Sequence, residues 1–137
     1  MSEPLSRAVI LSVGTELTEG LILDTHLAFL GSALKGLGWR VVRGEQIPDD
    51  PALFRQALER AAADAELVLI TGGLGPTSDD LTREAVAGAA GVALEFQPAV
   101  WEGLVARYAA SGHGLPEANR RQAFLPRGFA LLENHCG

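Results

Sequence analysis

The residues of this chain best suited to chemistry fall in three short polar runs, each of which follows an apolar stretch. The richest is TGGLGPTSDD at 71–80. There Gly72, Gly73 and Gly75 remove side chains where backbone amides could approach an anion, and the run leads into what reads as a helix N-terminus. Asp79 and Asp80 follow at once. Two adjacent carboxylates beside an anion repel it by on the order of a few kcal/mol at close range in an intermediate dielectric. A divalent cation would reverse that sign, and magnesium is commonly held by one or two carboxylates together with substrate phosphates and waters. The second run, IPDD at 47–50, offers Asp49 and Asp50 to the same crevice. The third, GTELTEG at 14–20, has Gly14 for a sharp turn and supplies Thr15 and Glu16 as a hydroxyl and a carboxylate. Phosphate-ester chemistry assisted by a metal is the reading these types support.

Each of these residues also has a purely structural reading. The glycine run is not a Walker loop, since no Gly-Lys-Ser/Thr follows, and Ser78 stands where the dinucleotide fingerprint needs its third glycine. Isolated glycines also serve tight strand-to-helix turns. Asp79 or Asp80 could cap the following helix, worth about 1 kcal/mol, and Thr77 with Asp80 fits a loose capping-box spacing. Asp49 and Asp50 could be an ordinary turn before Pro51. Asp24 reads as an N-cap, and His26 as a solvated histidine with no catalytic role.

Positioning these runs requires an alternation of strands and helices. Ala8–Val13 (AVILSV) is a continuous apolar run ended by Gly14, as expected of a strand covered on both faces. Leu27, Leu30, Leu34 and Leu37 recur at helical spacing after Asp24, with Gly38 as the stop. Arg40–Ile47 is predicted as a second strand, and Pro51 opens a helix with Leu53, Phe54, Ala57, Leu58 and Ala61 on one face. Leu67–Thr71 (LVLIT) is a third strand. Leu81, Ala85 and Ala89 mark a helix ending at Gly91. Beyond it the pattern predicts a helix from Pro98 to about Ala110 and minor strands around Ala123–Leu125 and Phe129–Leu132. Such alternation specifies an α/β fold, with a mostly parallel sheet between helix layers, whose ligands bind past the carboxyl ends of the strands. In that setting phosphates are expected against the amides of Gly72 to Gly75, and Gly73→Val is expected to abolish binding while leaving the fold largely intact.

Composition narrows the partners. The 137 residues have the length of one domain, with 47% hydrophobic and 20% charged residues. The formal net charge is −6 and no basic cluster is interleaved with aromatics, which argues against nucleic acid as a partner. No apolar run reaches bilayer-spanning length and the N-terminus MSEPLSR lacks a signal-peptide layout, so no membrane partner and a cytoplasmic location are expected. Cys136 stands alone, and His26, His113 and His135 are scattered, so neither a disulfide nor a zinc site is expected.

GTELTEG…DTH, IPDD and TGGLGPTSDDLTREAVA, in this order and at these separations, resemble the CinA (competence/damage-inducible protein A) family. The wider group is the molybdopterin-binding superfamily, with MogA, MoaB and the gephyrin G domain and their GGTG…RD.T.EA motif. The resemblance covers nearly the whole chain. It implies a three-layer MogA/MoaB-like α/β sandwich and hydrolysis of the ADP-ribose pyrophosphate to AMP and ribose 5-phosphate, dependent on a divalent metal, by expectation Mg2+. By position, it implies Asp80 and Asp49 as catalytic, with Asp80 metal-holding; Asp79 is added as a metal-holding residue from the adjacent carboxylates of the third loop. Ligand contacts are implied for Glu16, Asp24, Gly72, Gly73 and Gly75, and the loops that carry them add Gly14, Thr15, Thr71, Pro76 and Thr77 as expected contacts. Its alternatives are molybdopterin binding or adenylylation, and a non-catalytic nucleotide-binding module. It further implies a homo-oligomer, a dimer by the CinA likeness and a trimer by the MogA one. The chain departs from the family pattern where His26 replaces an Asn, and from the wider motif where Asp79 replaces Arg and Leu74 replaces Thr. Asn134–Gly137 resembles the start of an Asn-x-x-Gly-Thr-Ala-Pro-Gly loop, so residues 1–137 are read as one C-terminally incomplete domain. Nothing in the chain corresponds to the C-terminal nicotinamide-nucleotide amidase domain that many CinA proteins carry.

Overall fold

A computed structural model describes residues 6–132; the Asn134–Gly137 resemblance, with His135 and Cys136, lies outside them. Three parallel strands form the main sheet: β1 (Arg7–Val13), β2 (Arg40–Ile47) and β3 (Leu67–Thr71), in the order β2-β1-β3. The register places Ser12 opposite both Gln46 and Thr71, so all three strands end level with one another. β1 is central and apolar on both faces, and from Ala8 to Val13 it is buried throughout, which is what the AVILSV run requires.

Alternate β1 residues point into two cores. Val9, Leu11 and Val13 join Ile47 and the face of α3 (Pro51–Asp64) made by Phe54, Ala57, Leu58 and Ala61. Ala8 and Ile10 meet Leu34 of α2 (Thr25–Gly36), with Leu27, Leu30 and Trp39 around them. Helices thus cover both sheet faces, as the MogA/MoaB-like fold requires. Leu53, expected on the buried face of α3, is instead about half exposed, because it lies one residue, or 100° of helix, outside the i, i+3, i+4, i+7 stripe set by Phe54.

The helix ends follow local chemistry. Asp24 Oδ1 accepts from Leu27 N at 2.9 Å and caps α2, while Asp50 Oδ1 accepts from Ala52 N and Leu53 N ahead of Pro51. α4 (Thr82–Ala90) ends at Gly91 in the left-handed conformation. A one-turn helix, α1 (Thr15–Thr18), precedes α2, and α5 spans Pro98–Ala110 as the sequence predicts. The predicted piece at Ala123–Leu125 becomes β5 (Phe124–Pro126), which pairs antiparallel with β4 (Leu94–Phe96) and packs on α4. Phe129–Leu132, in contrast, forms no strand. A 3-10 helix over Glu117–Ala123 leads into β5. Among the described residues no strand pairs with the outer edge of β3, whose five residues are only half-buried. None of the helices described is long and apolar enough to cross a membrane.

Candidate functional site

The strand order fixes where a ligand can sit. The chain passes from β1 to β2 on one side and then crosses to β3 on the other, so the loops leaving β1 and β3 diverge and open a crevice between them. A cleft of about 210 Å³ lies there, lined by Val13, Glu16, Asp24, His26, Thr71 and Gly72 among others. It brings together four of the residues expected at the site, Glu16, Asp24, Thr71 and Gly72, and adds His26. Gly73, Gly75, Pro76, Thr77, Asp79 and Asp80 belong to the outward course of the third loop and are not part of this lining.

The first two loops are tied to each other. Thr15 N donates to Asp49 Oδ2 at 2.9 Å, and Asp49 N donates to Thr15 Oγ1 at 3.0 Å. Asp49 is therefore a brace between the ends of β1 and β2, whereas its neighbour Asp50 is the cap of α3. The Glu16 carboxylate folds back over Gly14, where a Cβ would stand 2.5 Å from Oε1; close approach is what the glycine permits.

The third loop is held from inside by its carbonyl groups. Thr82 Oγ1 donates to Gly72 O at 2.8 Å, Thr82 N to Gly73 O at 3.1 Å, and Arg83 reaches Leu74 O at 2.6 Å and Gly75 O at 3.0 Å. Four consecutive carbonyls are thus drawn toward α4. The amides of Gly72, Gly73 and Leu74 make no hydrogen bond to any described residue. Gly72 and Gly73 have φ of +86° and +65°, left-handed backbone that favours glycine. A side chain at Gly72 would run into the Val13 carbonyl oxygen, and one at Gly73 into the Thr82 hydroxyl. The expectation that Gly73→Val spares the fold is accordingly corrected: a β-branched residue here meets both the left-handed backbone penalty and Thr82.

Asp80 does not cap α4, whose N-cap is Leu81 with no side-chain bond. Its Oδ2 accepts from Thr77 N at 2.8 Å and Thr77 Oγ1 at 2.7 Å, so the Thr-x-x-Asp spacing closes the turn that ends the loop and leaves the helix uncapped. Burial raises the Asp80 pKa, but the Thr77 hydroxyl and amide, the Gly75 amide and the Arg83 charge together hold it below the ordinary carboxylate value. Asp24 behaves likewise: burial opposes ionisation, and Ser12, the Leu27 amide, Gln46 and His26 outweigh it. The Ser12 hydroxyl, fully buried beneath, and Asp24 Oδ2 nevertheless close no bond of hydrogen-bond geometry.

Three residues of this region carried no role in the sequence. Arg83 is only 4% exposed, and burial pulls its pKa down, with Arg121 adding to the effect against the Glu84 and Asp80 carboxylates. Arg121 donates to Thr77 O and to Glu84 Oε1, and Gln122 Nε2 to Leu74 O at 3.4 Å. These contacts tie the 3-10 helix to the glycine loop across a sequence gap of about forty residues, which periodicity does not reveal. The one available signal was Arg83 itself, a charged residue set among the apolar positions of α4.

Fold and cleft together define a three-layer α/β domain with a cleft at the reversal of strand order. Residues 9–131 match the family described as "Probable molybdopterin binding domain". A CinA-like protein of Fervidobacterium nodosum is 39% identical over 97% of this chain, and one of Thermomicrobium roseum 45% identical over 95%. The matches cover 33% and 32% of those proteins, so the chain spans about a third of their length. Among solved structures, the protein CinA from Thermoplasma acidophilum, described as of unknown function, superposes with a TM-score of 0.83 at 31% identity, over 97% of this chain and 78% of its own. The molybdopterin biosynthesis enzyme MoaB from Thermus thermophilus superposes with a TM-score of 0.59 at 25% identity, over 88% and 73%. The chain belongs to the molybdopterin-binding domain family, as a CinA-like member.

Proposed function

We propose that this domain binds ADP-ribose over the carboxyl ends of β1 and β3 and hydrolyses its pyrophosphate to AMP and ribose 5-phosphate with a divalent cation. The observation that carries the reading is the glycine loop, whose carbonyls from Gly72 to Gly75 are engaged from within while the amides of Gly72, Gly73 and Leu74 find no partner among the described residues, with Gly72 lining the cleft. In an acidic chain such a loop suits a diphosphate only if a cation offsets the surrounding carboxylates. Among the described residues no three Asp, Glu, His or Cys side chains gather as a metal cluster. That fits a cation held by one or two carboxylates and completed by phosphate oxygens and waters. Asp80, ionised and anchored through Oδ2, would hold it through Oδ1 with Asp79 beside it; the cation's contribution is to neutralise charge developing on the diphosphate.

The remaining roles belong to the chain. The loop amides orient the diphosphate. Glu16, in the cleft, is the carboxylate placed to take the proton as a water oxygen bonds to phosphorus and the bridging P–O bond breaks. Asp49 acts as a positioning residue through Thr15. The family description and the MoaB likeness support a second reading, in which a molybdopterin phosphate occupies the same loop.

Incubation with ADP-ribose, and separately with molybdopterin, each with and without Mg2+, separates the two. Release of AMP and ribose 5-phosphate that stops on chelation supports the first. Molybdopterin binding without any ADP-ribose turnover refutes it in favour of the second.

A further inference from the structure

Most basic side chains of this chain are neutralised by its acids. The chain has 11 basic residues against 17 acidic ones, and Arg7, Arg43, Arg55, Arg60, Arg120 and Arg121 each close an ion pair. Lys35 and Arg40 differ: neither side chain closes an ion pair or a hydrogen bond with any described residue. Both line one cavity of about 330 Å³, together with Gly31, Trp39 and Val41. Gly31 and Lys35 come from α2, and Trp39 leads into β2 at Arg40. No acid stands in this wall, whereas the cleft described above is lined by Glu16 and Asp24. In the sheet register Arg40 lies beside Arg7 and Ile47 beside Val13. The two cavities therefore lie at opposite ends of β2, roughly 20 Å apart at about 3.3 Å per residue.

We infer that this cavity is a second ligand site, for a planar aromatic ring that carries a phosphate, as in a mononucleotide. Trp39 supplies the stacking surface. Its indole packs on the core made by Ala8, Ile10 and Leu34, which fixes the ring before a ligand arrives, and a base stacked on such a ring gains about tenfold or more in affinity. Lys35 and Arg40 supply the charge. In a chain whose overall field repels anions, two cations with no internal partner attract a phosphate without first giving up an ion pair. Gly31 supplies the room: a Cβ built there meets nothing within 4 Å, so the cavity reaches in to the helix backbone. Its volume of about 330 Å³ stands at the lower end of small-molecule pockets, which suits one ring system rather than an extended chain. The site does not depend on which ligand the cleft takes.

The indole N–H resonances test this in the intact chain, which has two tryptophans; Trp101→Phe identifies the Trp39 signal by elimination. Titration with adenosine 5′-monophosphate, without metal, should move the Trp39 signal to saturation with a Kd of about 1 mM or below. Adenosine and inorganic phosphate, titrated separately, should each bind at least about tenfold more weakly, because each keeps only one of the two kinds of contact. Gly31→Met, a better helix former, fills the cavity and should remove the shift. Lys35→Gln combined with Arg40→Gln should reduce the nucleotide to the affinity of adenosine. Neither variant touches the cleft lining, and if one fails to fold by circular dichroism the other decides. A Trp39 signal that does not move at up to about 10 mM nucleotide overturns the inference. So does a shift unchanged in either folded variant, which places the nucleotide elsewhere, and so does adenosine or phosphate binding as tightly as the nucleotide, since charge or ring then contributes nothing.

Discussion

Replacing Arg83 by Met isolates the clamp that orients the glycine loop. Met keeps most of the aliphatic stem that Arg83 buries but removes the two guanidinium bonds to Leu74 O and Gly75 O. Hydrogen bonds from a charged donor contribute about 1.5–3 kcal/mol each. Two of them would set an upper value of about 3–6 kcal/mol, but two effects reduce it. The guanidinium was desolvated in order to make the bonds, as its lowered pKa records, and Leu74 is exposed enough for water to replace one partner. A net loss of about 2 kcal/mol is expected, measurable as a shifted urea midpoint with an unchanged slope. The larger effect should fall on the loop, because carbonyls freed from Arg83 no longer hold the neighbouring amides outward. Calorimetric titration with ADP-ribose should then show affinity reduced by at least about tenfold, the equivalent of one good hydrogen bond. Arg83→Lys should rescue little, since a point charge cannot span two carbonyls as the planar fork does. If Arg83→Met unfolds with the wild-type midpoint and binds ADP-ribose as tightly, the clamp has no part in shaping the loop.

Further substitutions test the same geometry. Asp80→Asn retains an acceptor for the Thr77 turn, so stability should change by less than about 1 kcal/mol while turnover falls by roughly 10² or more; a coupled assay of AMP release with parallel thermal melts reads both. Gly75→Ala meets Asp80 Oδ2 at 2.5 Å without requiring a left-handed backbone, so it should displace that carboxylate and raise the metal concentration needed for half-maximal rate. Asp24 and Asp80 both have depressed pKa values, so the stability they contribute is fully present above the unfolded carboxylate pKa of about 3.9 and is lost as pH falls through the folded values. Urea unfolding followed downward from pH 5 should therefore steepen in the wild type and flatten in Asp24→Asn, which still caps α2 but cannot titrate; parallel curves would exclude that carboxylate as the source.

Much of the scaffold was legible because its elements are strongly patterned. β2, β3 and α5 occupy the residues that alternation and Pro98 mark out, and β1 only adds Arg7 to the AVILSV run. The Asp24 cap and the stop at Gly91 also follow from residue type and position, whereas Asp50, read as part of a turn, is found to cap α3. The three polar runs do converge at the carboxyl ends of the strands. What periodicity does not encode is which atoms within a run meet. Asp80 and Asp49 are equally consistent with caps, turns and ligands until Thr77 and Thr15 are seen to take their oxygens. Arg121 and Gln122 reach the loop from a 3-10 helix whose sequence, EANRRQA, carries no strong pattern. Phe129–Leu132 shows the opposite failure, since this apolar run forms no strand.

The outer edge of β3 has a consequence of its own for anyone handling the protein. LVLIT has no charge, proline or bulge, and its outer amides and carbonyls, which pair with no strand among the described residues, are the kind of edge that natural sheets shield. In a concentrated sample such an edge invites strand addition, which has no fixed stoichiometry and feeds open-ended assembly. Slow clouding on storage would be its signature. A lysine introduced along β3, for example at Val68, should suppress that clouding, at some cost in packing against α3.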